Sequence, residues 1–162
     1  RSPEQQEPLA LEEAKVLLEP FRLACASQSP KLMEPALDCL HKVIAHGCLH
    51  LESVLQIDRS KPVLATKQQG GNYADELVAA MCLGAESEHA GVQLAAVKAV
   101  LTSATSDYFR LHGNALLQAV RMCYGMALES KHSANRLVAR NALLQMVIMA
   151  FKRLESDLRS AR

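Results

Sequence analysis

The stretch GVQLAAVKAVLTSATSDYFRLHGNALLQAVRMCYGMALESK, from Gly91 to Lys131, decides the fold of this chain. Both of its halves carry apolar residues three or four positions apart, the period of a helix with one buried side. These inward stripes are Leu94, Val97, Leu101 and Ala104 in the first half, and Leu117, Val120, Tyr124 and Ala127 in the second. The stretch therefore predicts two helices that each need a neighbour.

The turn between these helices contains two aromatic residues, Tyr108 and Phe109. Large rings bury much apolar surface, so we expect both in the core between helix pairs, with exposed anchors as the alternative. Gly113 then supplies a flexible residue, and Asn114 is predicted as the N-cap of the second helix.

The composition favours a single all-α domain. Of 162 residues, 49% are hydrophobic and only 4% aromatic, which indicates Leu/Ala-rich helices packed on helices. The 18 basic and 17 acidic residues leave a net charge of +1, so we expect no nucleic acid as a partner. No apolar run approaches the length of a membrane span.

Outward from the central stretch, helical patterns alternate with breaks. Residues 1–8 read as a disordered lead or linker, 48–72 as a long loop, and 156–162 as a frayed tail, so the domain occupies 9–155. The other predicted helices are Leu9–Ser27 with a kink near Pro20, Pro35–His46 closed by Gly47, Ala74–Leu83 closed by Gly84, and a final helix capped by Ser133.

The final helix also has a predicted inward and outward side. Its inward residues are Leu137, Leu144, Ile148, Phe151 and Leu154, and its outward residues are Arg136, Arg140, Gln145 and Lys152. Related phrases recur along the chain, such as NALLQ at 114–118 and again at 141–145. We therefore predict an armadillo/HEAT-like stack of about three antiparallel helix pairs, with an ordinary helical bundle as the alternative.

Catalytic and metal-binding patterns are weak in this sequence. The possible zinc ligands Cys39, His41, His46, Cys48 and His50 lack paired finger-like spacing, so we predict no metal site. No nucleophile motif, phosphate-binding loop or HExxH motif occurs, and we expect neither a cofactor nor an enzyme. The odd number of five cysteines favours a reducing, cytoplasmic setting.

The helix Pro35–His46 carries the candidate docking surface. Asp38, His41, Lys42 and Ala45 lie away from its apolar stripe, and Lys42 could pair with a carboxylate of a partner. The alternative is an ordinary solvated face.

Three blocks of the sequence together resemble one known domain. They are LDCLHKVIAHG at 37–47, the run from Gly91 to Ser106, and the run from Leu111 to Tyr124. The chain resembles the N-terminal dimerisation and cyclophilin-binding (DCB) domain of the large brefeldin-A-inhibited exchange factors for Arf GTPases over most of Leu17–Glu155. The His-Gly pairs in two blocks are most similar to plant or algal members.

The resemblance implies an armadillo-like module that regulates nucleotide exchange without performing it. It implies self-association, contact with neighbouring domains, and docking of an Arf-like GTPase in its GTP form at the trans-Golgi, with membrane association only through partners. The docking residues it implies are Phe21, Arg22, Asp38, His41, Lys42, Ala45 and His46. The competing interpretation is a generic helical-repeat adaptor for another protein.

Overall fold

The computed structural model describes residues 11–47, 73–107, 109 and 111–160. Helices form most of this part of the chain, and no strand occurs in it. The helices are α1 (Leu11–Ala26), α2 (Pro30–Ala45), α3 (Tyr73–Glu86), α4 (Ala90–Thr105), α5 (Gly113–Glu129) and α6 (Ser133–Ser160). The predicted all-α class is confirmed, whereas the predicted lead at 1–8, the loop at 48–72 and Tyr108 lie outside the described residues.

The helices stack as three pairs in two layers. Each helix packs on its partner in the pairs α1–α2, α3–α4 and α5–α6. Contacts from α1 to α3 and from α3 to α5 form one layer, and contacts from α2 to α4 and from α4 to α6 form the other. In a helical-repeat stack each pair contacts only its neighbours, which is the predicted armadillo/HEAT-like arrangement.

Helix α4 lies at the centre and is buried on most of its surface. The prediction of one inward stripe is wrong for this helix, because Leu94 and Leu101 are only half-buried while residues on other sides are fully buried. It packs against α2, α3, α5 and α6, so small side chains are needed all around it. The buried residues are Val92, Gln93, Ala95, Ala96, Val97, Ala99, Val100, Ser103 and Ala104.

Gly84 does not end α3 as predicted. The helix continues to Glu86, and Gly84 lies at a close contact between three helices. A Cβ added there would lie 2.8 Å from Ala96 Cβ and 2.9 Å from Leu37 Cδ1. The glycine therefore lets α3 approach α4 and α2, and its role is packing.

The inward faces predicted for α5 and α6 are largely wrong. Leu117 and Tyr124 of α5 are exposed, as are the five residues predicted inward on α6: Leu137, Leu144, Ile148, Phe151 and Leu154. Smaller residues are buried in their place: Ala115, Ala119, Cys123, Met126 and Ala127 in α5, and Asn135, Ala139, Ala142 and Met146 in α6. Small side chains allow close helix approach, so they occupy the contacts with the preceding helix pair.

Several local predictions are confirmed and others shift by a few residues. Gly47 ends α2 with φ of 67°, and Phe109 is buried. The two prolines, Pro20 and Pro35, lie inside continuous helices, and α2 begins at Pro30. His112 and not Asn114 precedes α5, and α6 begins at Ser133 and remains helical through 156–160, where a frayed tail was expected.

Candidate functional site

Helix α2 presents a polar ridge opposite its buried stripe. The stripe of Met33, Leu37, Leu40 and Ile44 faces the core. On the other side, Lys42 Nζ donates to Asp38 Oδ2 over 2.6 Å, the spacing of one helical turn. Ala45 and His46 are exposed just beyond this ion pair. We name Asp38, Lys42, Ala45 and His46 the α2 ridge.

The ion pair keeps both of its members charged. The hydrogen bond from Lys42, aided by the charge of Lys42 and the nearby charges of His41 and Lys98, holds the pKa of Asp38 below its usual value. The hydrogen bond to Asp38 and its charge raise the pKa of Lys42. A partner that approaches the α2 ridge therefore meets a fixed pair of opposite charges in solvent.

His41 is turned toward the neighbouring helix and does not point outward as predicted. Its Nδ1 shares a hydrogen bond of 2.7 Å with Thr102 Oγ1 on α4, and its ring is half-buried. The spacing in sequence could not reveal this contact, since it joins residues that are 61 positions apart. His41 therefore positions α2 on α4 at the edge of the ridge.

Phe21 and Arg22 lie on α1 and are set apart from the α2 ridge. Phe21 is half-buried against the core. Arg22 donates two hydrogen bonds, of 2.8 and 2.6 Å, to the carboxylate of Glu19. In the antiparallel pair α1–α2, Phe21 lies roughly 10 Å from Lys42 along the helix axes, from the rise of each helix. The structure thus gathers Asp38, Lys42, Ala45 and His46, but not all seven predicted residues.

A shallow groove of about 500 Å³ runs beside the α2 ridge, between α2 and α4. Asp38 and Lys98 line it, together with Glu34 and Gly91. A Cβ added at Gly91 would lie 2.6 Å from both carboxylate oxygens of Glu34, so the glycine makes room for this side chain. Glu34 is thereby held over the first turn of α4, where a negative charge is favourable. The signal in the sequence was the glycine at a position where helices do not favour it.

A second groove, of about 680 Å³, separates α3 from α5 and was not predicted. Gln118, Arg121, Gly125 and Glu129, interpreted from the sequence as a polar outer stripe of α5, line one wall. Cys82 contributes to the opposite wall. The groove is open and its lining is mixed in charge, which is more typical of a site that binds another protein than of a pocket for a small substrate.

Metal-binding groups do not converge in the described part of the chain. No cluster of three or more His, Cys, Asp or Glu side chains occurs there. Cys39 is exposed on α2, and the other possible ligands Cys48 and His50 lie outside the described residues. Separately, none of the described helices has the length and apolar character needed to cross a membrane.

The profile of one protein family matches almost the whole chain. It describes the Mon2/Sec7/BIG1-like dimerisation and cyclophilin-binding domain, and the match covers residues 1–158. This chain belongs to the DCB family. The DCB domain described here thus has the fold and the family that its sequence blocks predicted.

Relatives of this DCB domain include proteins from plants and mammals. It is 34% identical over 151 residues to brefeldin A-inhibited guanine nucleotide-exchange protein 3 of Arabidopsis thaliana, covering 91% of this chain and 8% of the relative. It is 38% identical over 141 residues to brefeldin A-inhibited guanine nucleotide-exchange protein 1 of Rattus norvegicus, covering 85% of this chain and 7% of the relative. The chain therefore spans less than a tenth of the length of these relatives.

Proposed function

We propose that this DCB domain is a non-catalytic regulatory module of an Arf guanine-nucleotide exchange factor. In this proposal it self-associates, contacts neighbouring domains, and docks a GTP-loaded Arf-like GTPase through the α2 ridge. Family membership supports the regulatory role, since the matched relatives are named as exchange proteins and this domain corresponds to a small part of each. Recruitment to the trans-Golgi would then follow from the GTPase, with no membrane contact by the domain itself.

One observation carries the choice of docking surface. The α2 ridge presents a preformed ion pair beside a small residue, Ala45. The other face of the helix is buried in the core, which holds the ridge in place. Exposed charges of this kind steer association and select partners more than they add affinity. Ala45 leaves room for a partner side chain to approach between Lys42 and His46. Phe21 and Arg22 stay part of the proposed surface as a second contact on α1.

Charge reversal at Lys42 tests this proposal. We expect Lys42→Glu to weaken binding of a GTP-loaded Arf-like GTPase about tenfold, since it removes the cation and places two acidic groups one turn apart. The measurement is a titration with the GTPase loaded with a non-hydrolysable GTP analogue, and again with GDP. Lys152→Glu is the matched control, because Lys152 is an exposed lysine on the distant helix α6.

Exchanging the two charged residues tests whether a partner recognises the order of the charges along α2 or only the presence of an ion pair. In Asp38→Lys/Lys42→Asp an ion pair one turn apart is retained in the less favourable order, so the helix loses only about 0.5 kcal/mol while the ridge presents the opposite charges to a partner. Weak binding by the swapped variant supports recognition of the ridge. Undiminished binding by both variants, with the helical circular dichroism intact, would contradict docking at the α2 ridge. Binding that ignores the bound nucleotide would favour the generic adaptor.

A further inference from the structure

The groove between α3 and α5 has an apolar floor with charges of opposite sign at its two ends. Cys82, Met122 and Met126 are buried or half-buried and form the floor. Arg121 lines the groove toward the start of α5, and Glu129 lies at the end of this helix. From the rise of a helix, roughly 12 Å separates these two charged positions. We name this surface the α3–α5 groove.

The end of the groove near Glu129 is acidic. Glu86 lies there at the end of α3, and the C-termini of α3 and α5 add partial negative charge. Lys131 does not neutralise this end, because its Nζ donates to Glu88 Oε1 over 2.8 Å. His132 Nε2 lies 3.2 Å from Glu88 O. This end of the groove therefore favours a cation.

The unpaired charges of the groove are available to a partner. Within the part of the chain that the structure describes, Glu86, Arg121 and Glu129 form no ion pair. All three are exposed. A chain that binds in the groove can therefore pair with these charges without breaking an existing bond.

Gln118 and Gly125 on α5 have surroundings that a bound chain would complete. Gln118 Oε1 is shielded from solvent and accepts no hydrogen bond from the described residues, which is unfavourable. Gly125 lies inside the helix, although no atom lies within 4 Å of a Cβ added there. A glycine beside open space lets the backbone of another chain approach closely.

An extended segment matches these features better than a helix does. Its first, third and fifth side chains point to the same side and span roughly 13 Å, close to the separation of Arg121 and Glu129. Its backbone N–H and C=O groups are free to pair with the amide of Gln118, whereas those of a helix already pair with each other. The terminal torsion of a glutamine is soft, so this amide can turn toward such a backbone.

We propose that the α3–α5 groove binds an extended segment of a partner protein with an acidic, an apolar and a basic residue at alternate positions, in either chain direction. The acidic side chain pairs with Arg121, the apolar one covers the floor beside Gly125, and the basic one pairs with Glu129. Backbone hydrogen bonds to Gln118 hold the segment. The inference goes beyond the GTPase docking proposed above, because α2 with its ridge belongs to the other layer.

Fluorescence anisotropy of the labelled peptide Gly-Ser-Glu-Ser-Leu-Ser-Arg-Ser-Gly, titrated with the full 162-residue chain, tests the proposal. We expect saturable binding with a dissociation constant below about 1 mM, and binding at least about tenfold weaker when serine replaces the leucine of the peptide. The absence of binding in this range, or equal binding of the two peptides, would overturn the proposal.

Gly125→Leu tests whether the peptide occupies the groove. Leucine is a good helix former and the site is open, so the domain should stay folded while the new side chain fills the centre of the groove. We expect peptide binding to weaken at least about tenfold. Ala150→Leu is the control, because it places a leucine at an exposed position of α6 in the other layer. With the helical circular dichroism intact, undiminished binding by Gly125→Leu would contradict the assignment to this groove.

Reversal of the acidic end tests the role of charge. Glu86→Lys/Glu129→Lys should weaken binding of the original peptide and strengthen binding of Gly-Ser-Glu-Ser-Leu-Ser-Glu-Ser-Gly, so the preference between the two peptides reverses. Both substituted residues are exposed at helix ends, where lysine is favourable, so the fold should persist. An unchanged preference would rule out recognition of the basic residue by this end.

Two other occupants of the groove give different results. A helical peptide with Glu, Leu and Arg spaced four residues apart carries the same groups over about the same length. Tighter binding of this helical peptide would overturn the extended conformation. A dimer of the chain that dissociates in Gly125→Leu, with no binding of either peptide, would assign the groove to a second copy and overturn the proposal.

Discussion

Gly84 and Gly125 both lie inside helices, but only Gly84 is closely surrounded by residues of other helices. At Gly84 a Cβ would meet Ala96 and Leu37 at less than 3 Å, so the absence of a side chain sets the spacing of three helices. At Gly125 no atom lies within 4 Å of the added Cβ. Glycine is thus required for close packing on α3, whereas on α5 it lowers the stability of the helix.

We predict opposite effects of the same substitution at these two positions. Gly84→Ala should lower the free energy of unfolding by about 1–3 kcal/mol, because the methyl group forces the packed helices apart. Gly125→Ala should raise it by up to about 1 kcal/mol, because alanine loses less backbone entropy in a helix. Urea unfolding followed by circular dichroism measures both. Equal effects at the two sites would contradict the close packing at Gly84.

Between the helix pairs, a buried polar network connects the ends of four elements. Gln93 Nε2 on α4 donates to Ser87 O over 2.9 Å, in the turn after α3. Gln93 Oε1 accepts from Ser130 Oγ at 2.8 Å, after α5, and from Asn135 Nδ2 at 3.1 Å, on α6. All three side chains are buried, so the network fixes the second pair against the third.

We predict that Gln93→Leu lowers the free energy of unfolding by about 3 kcal/mol, because it removes the acceptor of the buried Ser130 hydroxyl and leaves Asn135 Nδ2 with Ala90 O alone of its two acceptors. The double variant Gln93→Leu/Ser130→Ala should cost about 1 kcal/mol less than the sum of the single changes. Thr105→Ala is the control, since its hydroxyl donates to Leu101 O within the same helix. Strictly additive costs would show that the network is not coupled.

At the scale of the whole molecule, each helix of one layer carries a cysteine that is buried or half-buried. Cys25 lies on α1, Cys82 on α3 and Cys123 on α5. Burial raises the pKa of Cys25 to about 11 and that of Cys123 to about 12, the latter with a contribution from Cys82. Burial, with a smaller effect of Glu86, raises the pKa of Cys82 to about 11.

These thiols predict alkaline destabilisation of the domain. Since the folded-state pKa values lie above the usual value of 9.0, the thiol contribution is complete below pH 9 and is lost as the pH rises toward 11–12. Under reducing conditions, the free energy of unfolding should fall above pH 9. Cys82→Ala should make this slope shallower, by up to about 1.4 kcal/mol per pH unit.

Much of the candidate site could be predicted because it depends on neighbours along one helix. Asp38 and Lys42 are one turn apart, so their spacing placed both away from the apolar stripe, although Lys42 was expected to pair with a carboxylate of a partner and pairs with Asp38 instead. The contact of His41 with Thr102, and the place of Glu34 over Gly91, depend on how α2 lies on α4. No local pattern encodes such a contact.

By itself, the sequence determined that this chain is helical, that its helices come in pairs, and which family it resembles, because periodicity, breaks and motif blocks are local properties. Only the tertiary structure decided which face of α5 and α6 turns inward. Both helices carry an apolar stripe on each side, and hydrophobic periodicity favours the larger one. Close helix packing instead selected Ala119, Ala139 and Ala142, which left Tyr124 and large apolar residues of α6 such as Leu144 and Phe151 on the surface.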